Sequence, residues 1–226
     1  MSTIIKLENI QKYYKVGKEK FHVLKSLNLD IKAGEFVMIM GKSGSGKTTL
    51  LNVLAFLDKF DDGNYIFNNE NVTNLNENQR SVFRNKNIGF VFQQFNLIET
   101  LNVYQNIELP LIYDGNLKKV EREEIVSQKL KAVGLLDKIK NLPLQLSGGQ
   151  QQRIAIARSL VNNPCLIFAD EPTGALDSET SREIMDLLKN LNEQGKTIIM
   201  VTHDNDLVKY ATKVVKLKDG VLSLEV

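Results

Sequence analysis

The octapeptide GKSGSGKT, residues 41–48, constrains this chain more than any other stretch. It follows FVMIM (36–40), a run apolar on both faces, as in a buried parallel strand. It opens a stretch, from about Lys47 to Leu57, that reads as a helix. Gly41, Gly44 and Gly46 permit a tight turn in which successive backbone N–H groups point at phosphate oxygens. Those amides lead into the helix N-terminus, which favours anions. Lys47 then reaches toward β- and γ-phosphates, and the Thr48 hydroxyl toward Mg²⁺. Strand, loop and helix in this order distinguish a phosphate-binding loop from a chance match.

The remainder of the chain suits an α/β fold. IIKLENI (4–10) and VLKSLNLDI (23–31) alternate like sheet, with Val23, Leu27, Leu29 and Ile31 on one face, and Ala33-Gly34 marks a turn. NENQRSVFRNK, NVYQNIEL, VEREEIVSQKLKAVGLL and SGGQQQRIAIARSLV read as helices, with GFVFQ (89–93) as a strand. CLIFAD (165–170), a helix over 178–193, TIIMVTH (197–203) and a helix near 205–211 follow. The strands KVVKL and VLSLE then flank a turn at Asp219-Gly220. Alternating strands and helices predict a mostly parallel sheet covered on its faces, with a helical block inserted over about 95–160.

Composition narrows the function classes. Of the 226 residues, 42% are hydrophobic and 25% charged, and the net charge of +2 is too dilute for a nucleic-acid partner to be expected. KKVEREEIVSQKLK (118–131) reads as a solvated helix face. The single cysteine, Cys165, excludes an internal disulfide and reads as a small core residue. The N-terminus lacks the apolar stretch of a signal peptide. No apolar run approaches the ~20 residues that span a bilayer. A cytoplasmic chain that does not itself cross a membrane is expected.

Several side chains carry candidate chemistry beside the glycine loop. In CLIFADEP, an apolar strand ends in acids: Asp170 is placed for Mg²⁺, and Glu171 to orient or deprotonate an attacking water. Gln93, after GFVF, is within reach of metal or water, and the adjacent Gln94 is an equal candidate on the residues alone. Tyr13 and Tyr14 offer aromatic rings for a nucleobase. His203 ends a parallel strand, the edge at which open α/β sheets bind ligands, whereas His22 has no such setting. A second glycine turn, LSGGQ (146–150), has Ser147 as an N-cap and Gly148 and Gly149 opening another anion-favouring helix end. One loop already cradles a triphosphate, so the second is of use only from the opposite side, most simply from a second copy of the chain.

The ordered set GKSGSGKT, Gln93, LSGGQ, FADEP, ALD and His203 resembles the nucleotide-binding subunit of ATP-binding cassette (ABC) transporters along essentially the whole chain. GFVFQQFNLI, QLSGGQQQRIAIARSL and DEPTGALD are similar to the lipoprotein-releasing and macrolide or peptide exporter group. The resemblance implies a P-loop NTPase (RecA-like) core with an antiparallel β subdomain, built from 1–94 and 163–226, and a helical signature subdomain over about 95–162, all one domain. It implies Tyr14 as the base-stacking aromatic, and Gly41, Lys42, Ser43, Gly44, Ser45, Gly46, Lys47, Thr48 and Thr49 as the ATP-binding loop. Thr48, Gln93 and Asp170 would hold Mg²⁺, partly through water, and Glu171, Gln93 and His203 would serve hydrolysis. Ser147, Gly148, Gly149 and Gln150 would reach ATP on a second subunit, with Asp177 in the D-loop. The wider family often has Ser where this chain has Gly174. By resemblance, the partners are a second copy, joined on ATP binding, and a separately encoded membrane permease. The apolar residues of 95–113 would be shared between the helical core and a groove for that permease. Localisation would be the inner face of the membrane. A coiled-coil DNA ATPase would need a long heptad insertion, and a ribosomal factor two cassettes; a non-transport membrane partner remains the alternative.

Overall fold

The computed structural model describes residues 2–115 and 117–225, which form two compact units: Met1–Ser81 with Asn192–Val226, and Val82–Leu191. The first unit opens with β1 (Thr3–Val16) and β2 (Glu19–Lys32), paired antiparallel. Their buried residues are Ile5, Leu7 and Ile10 on one strand and Leu24, Leu27, Leu29 and Ile31 on the other. The three-residue steps from Leu7 to Ile10 and from Leu24 to Leu27 break strict alternation. At each step a residue adopts positive φ, Asn9 at 53° and Ser26 at 51°, and the ladder shifts register. This bulge corrects the alternation expected from Val23: Leu24 fills the core and Val23 is half-buried.

β3 (Phe36–Met40) is buried at all five positions, and α1 (Lys47–Leu54) follows the glycine loop. α1 buries Leu50, Leu51, Val53 and Leu54, each worth about 1.5–3 kcal/mol against exposure. Its C-terminal carbonyl at Leu54 accepts the buried Tyr65 hydroxyl at 2.8 Å. Tyr65 lies in β4 (Asp62–Phe67), which turns through Asn68 and Asn69, both left-handed, into β5 (Glu70–Asn71). These strands complete an antiparallel sheet of order β2-β1-β4-β5. α2 (Glu77–Asn87) starts with Asn76 and Gln79 exchanging side-chain-to-backbone hydrogen bonds at 2.9 and 3.0 Å.

The second unit contains β6 (Ile88–Phe92), α3 (Val103–Asp114), α4 (Lys119–Ala132), α5 (Gly148–Ser159), β7 (Leu166–Asp170) and α6 (Ser178–Glu193). β6 and β7 run parallel, Ile88 opposite Leu166 and Phe92 opposite Asp170. Val103, Ile107 and Leu111 of α3, Val126 and Leu130 of α4, and Ile154 and Ala157 of α5 share one core. Their spacings are those of single helix stripes. α4 otherwise presents a charged surface, as read from its sequence. Cys165 departs from its expected burial: it precedes β7, is half-buried, and lies with its sulfur 3.6 Å from the Asn87 carbonyl.

The chain then returns to the first unit through β8 (Thr197–Thr202), buried throughout. The helix expected near 205–211 is a 3₁₀ segment, Asn205–Tyr210, in which the Asp204 side chain accepts from the Asp206 N–H at 2.9 Å. β9 (Lys213–Lys218) and β10 (Val221–Glu225) form a hairpin across Asp219 and Gly220, with φ of 50° and 81°. β3 lies parallel between β8 and β9. The class is therefore α/β, with parallel strands, an antiparallel sheet and helices. Among the described residues, no helix is long and apolar enough to cross a membrane.

Candidate functional site

In the first unit, the C-terminal ends of β3 and β8 are register partners, Met40 beside Thr202. Gly41 and His203 therefore leave the sheet side by side, at the edge where parallel α/β sheets bind ligands. The loop's shape depends on its glycines. Gly44 and Gly46 have φ of 77° and 102°, a backbone that side chains oppose. A Cβ on Gly41 would collide with the Leu217 carbonyl and lie 2.6 Å from Ser45 Oγ. The Ser45 hydroxyl is buried and has no hydrogen-bond partner among the described residues. Lys47 Nζ donates to the carbonyls of Gly41 and Lys42 at 2.8 and 3.0 Å, so its ammonium is held over the loop. Lys42, Ser43 and Thr48 are exposed, and Thr49 is half-buried. A concave run of glycine backbone, a cation and an open helix start suit a polyanion.

Tyr13 and Tyr14 are set apart by their neighbours. Tyr13 stacks on His22, with centroids 4.1 Å apart, and carries Lys20 Nζ 3.8 Å from its ring centre. The His22 Nε2 is buried without a hydrogen-bond partner among the described residues. Tyr14 is 38% exposed, and its hydroxyl donates to Asp58 at 2.6 Å. Burial, then that hydrogen bond, raises the Tyr14 phenol above its ordinary value. Burial also pushes Asp58 up, but hydrogen bonds from Lys12 and Tyr14 prevail and hold it below the usual carboxylate range.

The second unit brings Gln93 and Glu171 together in the same manner, at the ends of β6 and β7. Glu171 has φ of 44°, a conformation that costs a non-glycine residue about 1–3 kcal/mol and concentrates at functional positions. Its carbonyl accepts the Gly174 N–H at 3.0 Å, closing a turn. A Cβ on Gly174 would lie 2.7 Å from Gln93 Nε2, so the glutamine rests where a side chain is missing. Gln94 is exposed and one residue further from the strand end.

Ser147 caps α5: its hydroxyl accepts the Gln150 N–H at 3.3 Å, and its own N–H donates to Gln150 Oε1 at 3.0 Å. A Cβ on Gly148 would come 3.3 Å from Leu176 and 3.6 Å from Phe95, and one on Gly149 would strike the Thr180 methyl. Thr180 Oγ1 donates to Asp177 at 2.6 Å, and the N–H groups of Glu179 and Thr180 also donate to that carboxylate. The Thr180 hydroxyl first, then these amides, hold Asp177 below the usual carboxylate range, so Asp177 caps α6. The LSGGQ turn and Asp177 thus share a wall.

Three residues on which the sequence reading placed no role hold this region. Gln152 is fully buried and donates to the carbonyls of Phe92 and Pro172 at 3.2 and 2.6 Å. Arg158 donates to the carbonyls of Asn96 and Phe95 at 2.6 and 3.0 Å. Asn106, fully buried, accepts from the Ile98 N–H and donates to the carbonyls of Ile98, Leu101 and Asn102. Residue type alone marks none of the three; their contacts do.

The profile described as ABC transporter matches residues 24–174. An uncharacterized ABC transporter ATP-binding protein of Methanocaldococcus jannaschii is 52% identical over 217 residues, 96% of each chain. The macrolide export ATP-binding/permease protein MacB of Chlorobium phaeobacteroides is 48% identical over 222 residues, 98% of this chain and 34% of that one. A solved dimeric, post-hydrolysis structure of the ATP-binding cassette MJ0796, bound to ADP and Pi, shares 48% identity. It superposes with a TM-score of 0.89 and 98% coverage of both chains.

Proposed function

Because the chain belongs to the ABC transporter family as an ATP-hydrolysing subunit, we propose that it closes as a homodimer around ATP and drives a separately encoded membrane permease. The observation that carries this reading is a second capped helix end: Ser147 is exposed at the start of α5, in a chain that already has a glycine phosphate loop. A dimeric cassette bound to ADP and Pi, 48% identical, supports the same arrangement.

In this reading Tyr14 stacks on the base and residues 41–49 hold the triphosphate. The glycine-shaped loop, the buried Ser45 hydroxyl and the Lys47 ammonium suit that anion. Thr48, Gln93 and Asp170 offer oxygen donors of the type Mg²⁺ takes, partly through water. When bound, the ion supplies positive charge against the phosphates. Glu171 accepts the proton of the attacking water, Gln93 orients that water, and His203 contacts the γ-phosphate. Ser147, Gly148, Gly149 and Gln150 of the partner subunit close the site, with Asp177 beside them.

Residues of about 95–162 act as the helical signature subdomain. There Ile112, Tyr113, Leu142 and Leu144 are exposed, at 50%, 81%, 40% and 75%, and offer apolar surface to a permease on the inner membrane face. Export of a peptide, lipoprotein or drug is the transport this supports best, given the relatives described as macrolide exporters. Glu171→Gln tests the scheme: light scattering with saturating Mg-ATP should show a stable dimer with no turnover. A Glu171→Gln protein that stays monomeric would overturn it.

A further inference from the structure

One side chain of α5 grips the backbone beside both Gln93 and Glu171. The Gln152 amide nitrogen donates to the carbonyl of Phe92, the residue before Gln93, and to that of Pro172, the residue after Glu171. Both neighbours are acceptors, so only the NH₂ group can face them and the amide orientation is determined. Its Oε1 is buried and accepts no hydrogen bond among the described residues. An amide with an unmet acceptor is a poor choice for filling a core. The two donor bonds are what it supplies and an apolar side chain of that length would not. Arg158, from the same helix, holds only the far side of the glutamine segment, at Phe95 and Asn96.

We propose that Gln152 is a positioning residue for ATP hydrolysis. Bridging two carbonyls with one nitrogen, it sets the separation of Gln93 from Glu171 where β6 and β7 end. It also ties both to the helix that begins at Ser147. The backbone of Glu171, with φ of 44°, is of the strained kind that persists only where its surroundings fix it, and the Gln152 bond to Pro172 is part of those surroundings. Movement of the α5 N-terminus would therefore shift the base and the water-orienting amide together.

The inference rests on the roles assigned above to Glu171 and Gln93, and the test separates the two. In the full chain with Mg-ATP, Gln152→Met should lower kcat at least ~10-fold while KM stays within about threefold. Gln152→Asn, which is one methylene shorter and can reach at most one carbonyl, should give a smaller loss. In a Glu171→Gln background, Gln152→Met should leave the Mg-ATP-dependent dimer intact by light scattering, because a residue that positions the hydrolytic groups is not needed for closure. An unchanged kcat in both variants overturns the proposal. So does a parallel fall in kcat, nucleotide affinity and melting temperature, the pattern of a merely structural residue. If Gln152→Met does not fold, the kcat–KM split of Gln152→Asn decides. A Glu171→Gln enzyme that keeps the parent rate refutes the role of Glu171, and Gln152 is then judged on its kcat–KM split through Gln93.

Discussion

Two glycines near the candidate chemistry lack side chains for different physical reasons. At Gly41 a Cβ would meet the Leu217 carbonyl, which cannot move without the β9 backbone. Overpacking of that kind costs about 1–3 kcal/mol. Gly41→Ala should destabilise the protein by that order in thermal melts and abolish detectable ATP binding by calorimetry. At Gly174 the Cβ would meet the amide end of Gln93, 2.7 Å away, which can rotate aside. Gly174→Ala should leave the melting temperature within about 2 °C of the parent, a change inside ±0.5 kcal/mol. Its signature should be a displaced Gln93 side chain in a crystal structure. Both glycines stand in motifs legible from the sequence, but which contact each avoids is not, because the partners lie far along the chain. Gln152 was hidden for a related reason: in a run of three glutamines, residue type does not say which one turns inward.

Among the elements, α3 shows how one polar residue orders a loop. Asn106 satisfies four backbone groups of residues 98–102, just after the glutamine segment. Asn106→Leu keeps the branched shape but removes all four bonds, taking this partner from the Ile98 N–H and the Leu101 carbonyl, and should cost about 3 kcal/mol, a fall of roughly 6–12 °C in melting temperature. On the same helix, the Tyr104 hydroxyl donates to Glu108 at 2.9 Å, and Arg122 donates to Glu108 at 2.7 Å. Burial first, then the Glu108 hydrogen bond, pushes the Tyr104 phenol from an ordinary 10.0 to about 12. The resulting stabilisation is complete below the unfolded value of 10.0 and is lost as pH rises through about 12. Phenolate absorbance should show a step at about 12, and Tyr104→Phe should remove it. Long elements were legible in the sequence: FVMIM became β3 residue for residue, and α6 spans the expected 178–193. The hairpin of β4 and β5 was not, since NNEN offers no apolar alternation, and neither was the bulge at Ser26 that swaps Val23 for Leu24.

Over the whole molecule, nucleotide binding should be visible as stability. A ligand at a hundred times its Kd stabilises the state it binds by about 2.7 kcal/mol. In a chain of this size that is about 5–11 °C of melting temperature. Glu171→Gln with Mg-ATP should show at least that shift, and Lys47→Ala, without the cation over the loop, should show none. The two units share one device: a pair of neighbouring parallel strands whose last residues are register partners, Met40 with Thr202 and Phe92 with Asp170. Ladders of this kind tolerate exchange among Ile, Val and Met but not a change of length. Adding or deleting one residue within FVMIM or LIFAD would slide one loop past its neighbour by about 3.3 Å and turn every following side chain to the opposite face. Divergence here should therefore proceed by substitution, with indels confined to the loops and to the far ends of the strands.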